Sequence, residues 1–213
     1  MQPNKITRDE LYQRYNIPKD KKIILLIGQV LNDFSLTRDL KTYNNSIHFY
    51  MDIIEKMQNF DGYHLFIKLH PWENYKQNST LELSKKLLEK LLVNKDIHNF
   101  TLDYNVNIDS LIEFSEVGIT SCSQAGLEML YNGKRVLQVG NAFYGFKGWT
   151  IDITDSSMLE SGIRALISNP NLSLTQQLEV KKFMYHLLEK HSFKRDGVDI
   201  NFSNKFINQV SLY

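Results

Sequence analysis

The amino-acid sequence predicts an α/β protein whose core is a doubly wound, parallel β-sheet of the Rossmann type. Residues 21–28 contain an unbroken apolar run of five residues before a glycine, which is typical of a strand covered on both faces. Runs of this kind alternate with helical patterns along the chain, as they do in βαβ units. A length of 213 residues, 42% of them hydrophobic, suffices for one such domain with a sizeable core.

The individual elements follow from the residue patterns in chain order. A first helix begins near Thr7, because Asp9 and Glu10 suit a first helical turn, and it ends near residue 15. Short apolar runs predict strands at residues 21–28, 64–69, 99–102, 117–120, 135–139 and 149–152. Apolar residues at helical spacing predict further helices at residues 46–58, 79–93, 108–114, 124–131, 156–168 and 173–190. The expected organisation is an N-terminal linker with a helix (1–20), one Rossmann-like domain (21–190) and a C-terminal tail (191–213).

Composition and charge exclude several classes of partner. The 25 basic and 24 acidic side chains leave a net charge of +1, so no global field favours nucleic acid or an anionic membrane. Cys122 is the single cysteine, which excludes an internal disulfide and fits a reducing cytoplasm. The longest apolar run is too short to span a bilayer, and the histidines lack the spacing of a zinc site. We therefore expect a cytoplasmic protein with no nucleic-acid partner, no transmembrane segment and no bound metal.

Two short polar sequences stand where predicted strands end. They are residues 68–71 (Lys-Leu-His-Pro) and residues 120–126 (Thr-Ser-Cys-Ser-Gln-Ala-Gly). Ligands of open α/β sheets bind outside the carboxyl ends of the strands, so the two loops form a candidate anion site. Lys68 offers a positive charge, and His70, kept out of helical geometry by the proline after it, offers a donor to a phosphate oxygen. The alternative is that Lys68 is an exposed strand residue and His70 a structural loop histidine.

The second of these loops opens the helix that is predicted to begin near Gln124. Ser121 or Ser123 can cap that helix, and the N–H groups at a helix N-terminus bind anions. A nucleotide phosphate is therefore the candidate ligand. Ordinary helix capping is the alternative, although Gly126 at the third position after Ser123 leaves a capping box incomplete.

Two further features are candidates for ligand contact. Glu128 is either an acceptor of ribose hydroxyl groups or a surface partner of Lys134. Residues 140–150 interleave aromatic residues with glycines, which indicates a mobile loop that can cover a ligand, with Phe143 and Tyr144 as its covering side chains. The alternative for this loop is an ordinary hydrophobic segment packed on a neighbouring domain.

Together these motifs resemble the capsular polysaccharide glycosyltransferases of the Kps type, the β-Kdo transferase group. The resemblance runs from about residue 22 to about residue 150 and covers most of the chain. Its most specific part lies between residues 133 and 150. The ordered set comprises Gly28-Gln29-Val30 with Asp33 and Ser35, Lys68-x-His70-Pro71, Ser121-x-Ser123-Gln124-Ala125-Gly126-Leu127-Glu128, and Gly133-Lys134-Arg135-Val136 followed by Gly140-x-x-Phe143-Tyr144-Gly145-x-x-Gly148-x-Thr150.

The resemblance implies that this chain is one half of a GT-B architecture, in which two Rossmann-like domains face each other. The C-terminal domain of such enzymes binds the nucleotide-sugar donor, which here would be a CMP-sugar such as CMP-Kdo. By this analogy the residues that hold the donor phosphate are Lys68, His70, Ser121, Ser123 and Gln124. The residues nearer the ribose or base are Gln29, Asp33 and Glu128. No metal and no cofactor is implied beyond the donor substrate itself.

The same resemblance implies that a second domain completes the enzyme. The catalytic base of such enzymes comes from the N-terminal domain, so we expect it outside this chain, in a missing domain or a partner subunit. The expected acceptor is a glycan or glycolipid, and the expected location is cytoplasmic or peripheral at the inner face of the cytoplasmic membrane. Two alternatives stay open: a stand-alone, non-catalytic module that binds a nucleotide or phospho-sugar, and a UDP-sugar transferase or epimerase-like protein.

Overall fold

A computed structural model describes residues 3–31, 43, 45–75 and 82–191, and these form a six-stranded parallel β-sheet flanked by helices. The strands are β1 (Lys22–Ile27), β2 (Tyr63–Lys68), β3 (Phe100–Asp103), β4 (Ser115–Thr120), β5 (Val136–Gln138) and β6 (Thr150–Asp152). Their order in the sheet is β3-β2-β1-β4-β5-β6, with every neighbouring pair parallel. This is the strand order of a doubly wound Rossmann sheet, so the predicted fold class is confirmed.

The helices lie within a few residues of their predicted positions. They are α1 (Arg8–Arg14), α2 (Ser46–Met57), α3 (Trp72–Tyr75), α4 (Leu83–Leu92), α5 (Ile108–Phe114), α6 (Gln124–Tyr131), α7 (Leu159–Ser168, after a 3-10 turn at Ser156–Met158) and α8 (Leu174–His191). Helix α3 is an addition, because a single turn carries no periodic pattern. The first three residues of the helix predicted at 79–93 and the tail after residue 191 lie outside the described residues. Within the described ranges, no helix combines the length and the apolar character needed to cross a bilayer.

Strand β1 lies in the middle of the sheet and is buried on both faces. Ile24 and Leu26 belong to a hydrophobic cluster that contains residues of α2, α4 and α7. Ile23 and Leu25 belong to a second cluster, which contains residues of α1, α5, α6 and α8. All four side chains are fully buried. The continuous apolar run of the sequence therefore reflects the presence of helices on both sides of the sheet.

Helix α1 is fixed by a capping box and by its apolar face. The Thr7 side chain accepts a hydrogen bond from the N–H of Glu10 at 3.3 Å, and the Glu10 carboxylate accepts one from the N–H of Thr7 at 2.7 Å. Leu11 and Tyr12 are buried in the second cluster. The helix that was predicted within the N-terminal linker thus packs on the core of this same domain.

The end of β1 approaches β2 so closely that position 28 requires glycine. The N–H of Gly28 donates to the carbonyl oxygen of Lys68 at 2.8 Å. A Cβ atom at this position would lie 2.9 Å from that oxygen, 3.0 Å from Tyr50 Oη and 3.2 Å from Leu69 Cα. Two of these three neighbours are backbone atoms, so rotation of a side chain cannot relieve the clash.

We expect Gly28→Ala to lower the free energy of unfolding by about 1–3 kcal/mol, because the added methyl group overpacks the junction of β1 and β2. Gly62→Ala is the matched control, since a Cβ atom there meets nothing within 4 Å. That control should be neutral or slightly stabilising. Denaturant unfolding measures both variants, and equal stabilities would contradict the proposed clash.

His64 is a buried histidine of β2 with one unsatisfied ring nitrogen. Its Nε2 lies 2.8 Å from Thr101 Oγ1, whereas its buried Nδ1 has no hydrogen-bond partner among the described residues. Burial and, to a smaller extent, the positive charge of Lys21 together lower the pKa of His64 from 6.5 to about 4. The folded protein therefore holds this ring neutral at pH values where the unfolded chain protonates it.

Acidification from about pH 6.5 to about pH 4 should consequently destabilise the protein through His64 by up to about 3 kcal/mol. In this range the unfolded state binds a proton that the folded state does not. His64→Gln removes the titrating group, so its unfolding free energy should fall less steeply than that of the wild type as the pH is lowered. Denaturant titrations between these pH values give the unfolding free energy of both proteins. If it falls equally steeply with pH in both, His64 is not the group responsible.

Candidate functional site

A pocket of about 520 Å³ opens at the carboxyl edge of the sheet. Its lining includes residues at or just beyond the ends of β1, β2, β3 and β4, among them Gly28, Lys68, Val106 and Ser123. The chain winds from β1 outward to β3 and then crosses back to β4, so the strand order reverses beside β1. Ligands of doubly wound sheets bind at such a switch point. The structure therefore brings the two predicted polar loops together in one place.

Lys68 is buried and its ammonium group is held by backbone carbonyls. Its Nζ donates to the carbonyl oxygen of Tyr104 at 2.5 Å and to that of Leu69 at 3.3 Å. These are its acceptors among the described residues, so one of its three hydrogens is left for a ligand. Burial lowers the pKa of Lys68 to about 8, and the negative charge of Asp103 opposes part of that shift. Lys68 is thus not the exposed strand residue of the alternative interpretation.

His70 is oriented by the backbone that follows it. Its Nδ1 accepts a hydrogen bond from the N–H of Trp72 at 3.2 Å. The neutral ring therefore carries its hydrogen on Nε2, which makes that atom a donor. His70 lines the pocket together with Lys68, so a cation and an imidazole donor border the same cavity. This arrangement suits a phosphate oxygen.

The N-terminus of α6 also borders the pocket. Ser123 is the N-cap residue, but its side chain makes no capping hydrogen bond. Ser123 and Ala125 both line the pocket. The first N–H groups of a helix have no intrahelical acceptor, and they carry the positive end of the helix dipole. Gln124, also predicted to bind phosphate, is exposed and its side chain is not part of the pocket lining.

Ser121 and Gln29 hold the loops of β1 and β4 together. The buried Ser121 hydroxyl donates to Gln29 Oε1, and Gln29 Nε2 donates to Cys122 Sγ at 3.0 Å. The N–H of Gln29 donates to Tyr50 Oη at 2.7 Å. Because both predicted ligand-binding side chains are buried and bonded to each other, their positions support a structural role. Asp33, the other residue predicted near the base, lies outside the described residues, as does Ser35.

Glu73 connects three of the segments around the pocket and was not predicted. Its carboxylate accepts hydrogen bonds from the N–H of Leu31 at 2.8 Å, the hydroxyl of Ser84 at 2.8 Å and the hydroxyl of Tyr104 at 3.0 Å. Tyr104 in turn supplies the carbonyl oxygen that binds Lys68. The sequence signal was an acidic residue three positions after His70, which on its own is too common to indicate a role.

Glu128, which was predicted to lie near a ribose, is not part of the lining of this pocket. It lines a separate surface depression with Asp109, Glu113 and Lys134. Burial raises the pKa of Glu128, and the charge of Asp109 raises it further. The alternative pairing with Lys134 is not observed either, because Lys134 Nζ donates to the carbonyl oxygens of Glu113 and Ser115. Glu128 lies one helical turn after Gln124, about 6 Å further along α6 from the end that borders the pocket.

The aromatic loop, in which Phe143 and Tyr144 were predicted to cover a ligand, packs on the domain itself in this structure. Tyr144 is completely buried, and its hydroxyl donates to the carbonyl oxygen of Ser123 at 2.5 Å. Gly126 makes room for this ring, since a Cβ atom there would lie 2.9 Å from Tyr144 Cζ. Phe143 is half exposed, but it stacks on Phe183 of α8 with 6.2 Å between ring centroids. Tyr144 is thus buried against α6, and Phe143 packs on α8.

Comparison with known proteins identifies a family. A family model described as "Capsule polysaccharide biosynthesis protein" matches residues 3–185. A search of curated proteins found no match. Among solved structures, the β-Kdo 2,7 transferase of Thermosulfurimonas dismutans KpsC is 25% identical over 80% of this chain and 49% of that chain, with a TM-score of 0.49. The β-Kdo 2,4 transferase of the same protein is 17% identical over 84% and 47% of the two chains, with a TM-score of 0.50.

A third solved structure extends the likeness in fold. Sucrose-phosphate synthase from Thermosynechococcus elongatus is 12% identical over 98% of this chain and 50% of that chain, with a TM-score of 0.58. The chain therefore spans about half the length of the structures that it resembles. At such identities, the two structures with TM-scores of 0.50 and 0.58 support the Rossmann-like fold and nothing finer. The family model covers most of the chain, and the protein accordingly belongs to the capsule polysaccharide biosynthesis protein family, as the motif resemblance predicted.

Proposed function

We propose that this chain binds the activated sugar donor of a glycosyltransferase that acts in the synthesis of a capsular or other surface polysaccharide. One observation carries the proposal: Lys68, His70, Ser123 and the start of α6 converge on a single pocket at the switch point of the sheet. These groups are all donors or positive charges, so the bound group is an anion. Membership of the capsule family makes a nucleotide-sugar phosphate the fitting anion. The choice of a CMP-sugar, and of CMP-Kdo among these, rests on the motif resemblance.

The size and the apolar surface of the pocket suit the nucleotide part of such a donor. A volume of about 520 Å³ lies within the range of typical small-molecule sites. The lining also has an apolar part, which includes Ile27, Leu69 and Val106. A ligand that matches both surfaces has a charged group at one end and a flat or apolar group at the other. A nucleoside monophosphate unit has this character.

The role of the polar cluster follows from the chemistry of a CMP-sugar. An acceptor hydroxyl attacks the anomeric carbon, the bond from that carbon to the phosphate oxygen breaks, and the oxygen keeps the electron pair. Negative charge therefore grows on the leaving CMP as the bond breaks. We assign the stabilisation of that charge to four donors that border the pocket: Lys68 Nζ, His70 Nε2, the Ser123 hydroxyl and the first N–H groups of α6. The proton of the acceptor goes to a base, which we assign to a second domain or a partner subunit.

Calorimetric titration with CMP, UMP and UDP tests the proposed ligand. We expect CMP to bind more tightly than the two uridine nucleotides. His70→Ala should weaken CMP binding by about 1–3 kcal/mol, because it removes a hydrogen bond to a charged oxygen. His98→Ala is the control, since His98 is exposed and precedes β3, whose amino end lies at the other edge of the sheet.

The same titrations separate the proposed function from its alternatives. Absence of CMP binding at millimolar concentration would refute the donor-site assignment, and tighter binding of UDP would favour a UDP-sugar transferase or an epimerase-like protein. Equal affinity of the wild type and His70→Ala would show that His70 is structural. CMP binding with no sugar transfer after addition of a second domain that carries a base would favour the non-catalytic module.

Affinity for CMP should also depend on the charge of Lys68. The phosphate keeps its charge between about pH 7 and 9, whereas Lys68, with its pKa near 8, loses its proton in this range. Binding should therefore weaken as the pH rises through about 8, and the wild type should take up a proton on binding above that pH. Lys68→Arg keeps its charge and should lack this step. Calorimetry in buffers of different ionisation enthalpy measures both the affinity and the proton uptake. An affinity of the wild type that does not change with pH would contradict the proposed role of the Lys68 charge.

A further inference from the structure

Trp72 is a large aromatic side chain left exposed at the rim of the pocket. It is 65% exposed, whereas Trp149, the second tryptophan of the chain, is buried against Phe183 and bonded to Glu179. Trp72 is also part of the pocket lining. An exposed indole in a ligand pocket offers an unused apolar face, and tryptophan rings bury a large area when a partner covers them. The sequence motifs did not single out this residue.

The position of Trp72 is fixed by its neighbours on both sides. The backbone N–H of Trp72 donates to His70 Nδ1. The indole ring makes an edge contact with the His70 ring, with 6.3 Å between the ring centroids and an angle of 81° between the ring planes. The next residue, Glu73, is anchored by hydrogen bonds from Leu31, Ser84 and Tyr104. Hydrogen bonds therefore fix the backbone of α3 at Trp72 and Glu73 without a ligand. The indole is preorganised for binding to that extent.

The other aromatic ring of the lining cannot offer a face in the same way. Tyr104 is buried, and its hydroxyl is bonded to Glu73. Of the described residues that line the pocket, Trp72 thus presents the exposed aromatic face. It lies one residue beyond the His-Pro pair, and its ring contacts the imidazole of His70, which is the proposed phosphate ligand.

We infer that Trp72 is the stacking surface for the planar base of the bound nucleotide. The inference rests on the proposed function, since it takes the anion beside Lys68 and His70 to be a nucleotide phosphate. Stacking on an indole does not distinguish one base from another, because every base has a π-face. Trp72 therefore contributes affinity for a nucleotide over a simple sugar phosphate, and the preference for cytosine comes from other groups.

Tryptophan fluorescence tests this contact directly, with excitation at the red edge of the absorption band, where tyrosine does not contribute. Addition of CMP should quench the emission of the wild type. Trp72→Phe retains Trp149 as its single tryptophan, so its emission should not respond to CMP although it still binds the nucleotide. Trp72 is exposed, so its variants should fold, and circular dichroism verifies that they do.

Calorimetry with two ligands distinguishes stacking of the base from contact with the sugar or phosphate. Trp72→Ala should bind CMP roughly 5- to 100-fold more weakly than the wild type, whereas Trp72→Phe should stay within about fivefold. Ribose 5-phosphate, which has no base, should bind the wild type and Trp72→Ala with equal affinity. An equal loss for both ligands, or no loss for CMP, would overturn the stacking role and leave the donor site intact. Failure of the wild type to bind CMP would overturn the proposed function and the stacking role together.

Discussion

Burial of β1 on both faces is the constraint on which the rest of the structure depends. A strand without a polar face needs helices on both sides of the sheet, and parallel neighbours need crossover connections to supply them. Here the crossovers run outward from β1 to β3 and then back to β4. The loops after β1 and β4 consequently depart toward opposite faces, and a pocket opens between them. The location of the site is thus a consequence of how the core is covered.

The polar side chains at this edge divide into two groups. Gln29, Ser121 and Glu73 are engaged with other protein groups and hold the surrounding loops in place. Lys68 and Ser123 line the pocket with hydrogen-bonding capacity that the described residues do not use up. Buried polar groups destabilise a protein unless they are hydrogen-bonded. The first set of residues therefore rigidifies the site, and the second set supplies the donors that a ligand can use. Such support is what a preorganised anion site requires.

Under the proposed function, the site serves the leaving group of a transfer reaction and not the acceptor. Its charges and donors suit a phosphate, and the exposed indole of Trp72 suits a planar base. The chain spans about half the length of the solved structures that share its fold. Our proposal assigns the acceptor side and its base to a second domain or subunit. In this view the domain supplies binding and charge stabilisation, and its partner supplies activation of the acceptor hydroxyl.

The sequence by itself determined the order of the strands and helices, and it placed the two polar loops at strand ends, because apolar periodicity and strand-end residues are local signals. It could not distinguish Ser121 from Ser123, which stand two positions apart in one loop. The tertiary structure decided that Ser121 bonds to Gln29 and that Ser123 faces the pocket. It likewise buried Tyr144 beneath Ser123 and exposed Trp72. The physical reason is that side-chain direction in a loop depends on segments distant in the chain, whose packing no local pattern records.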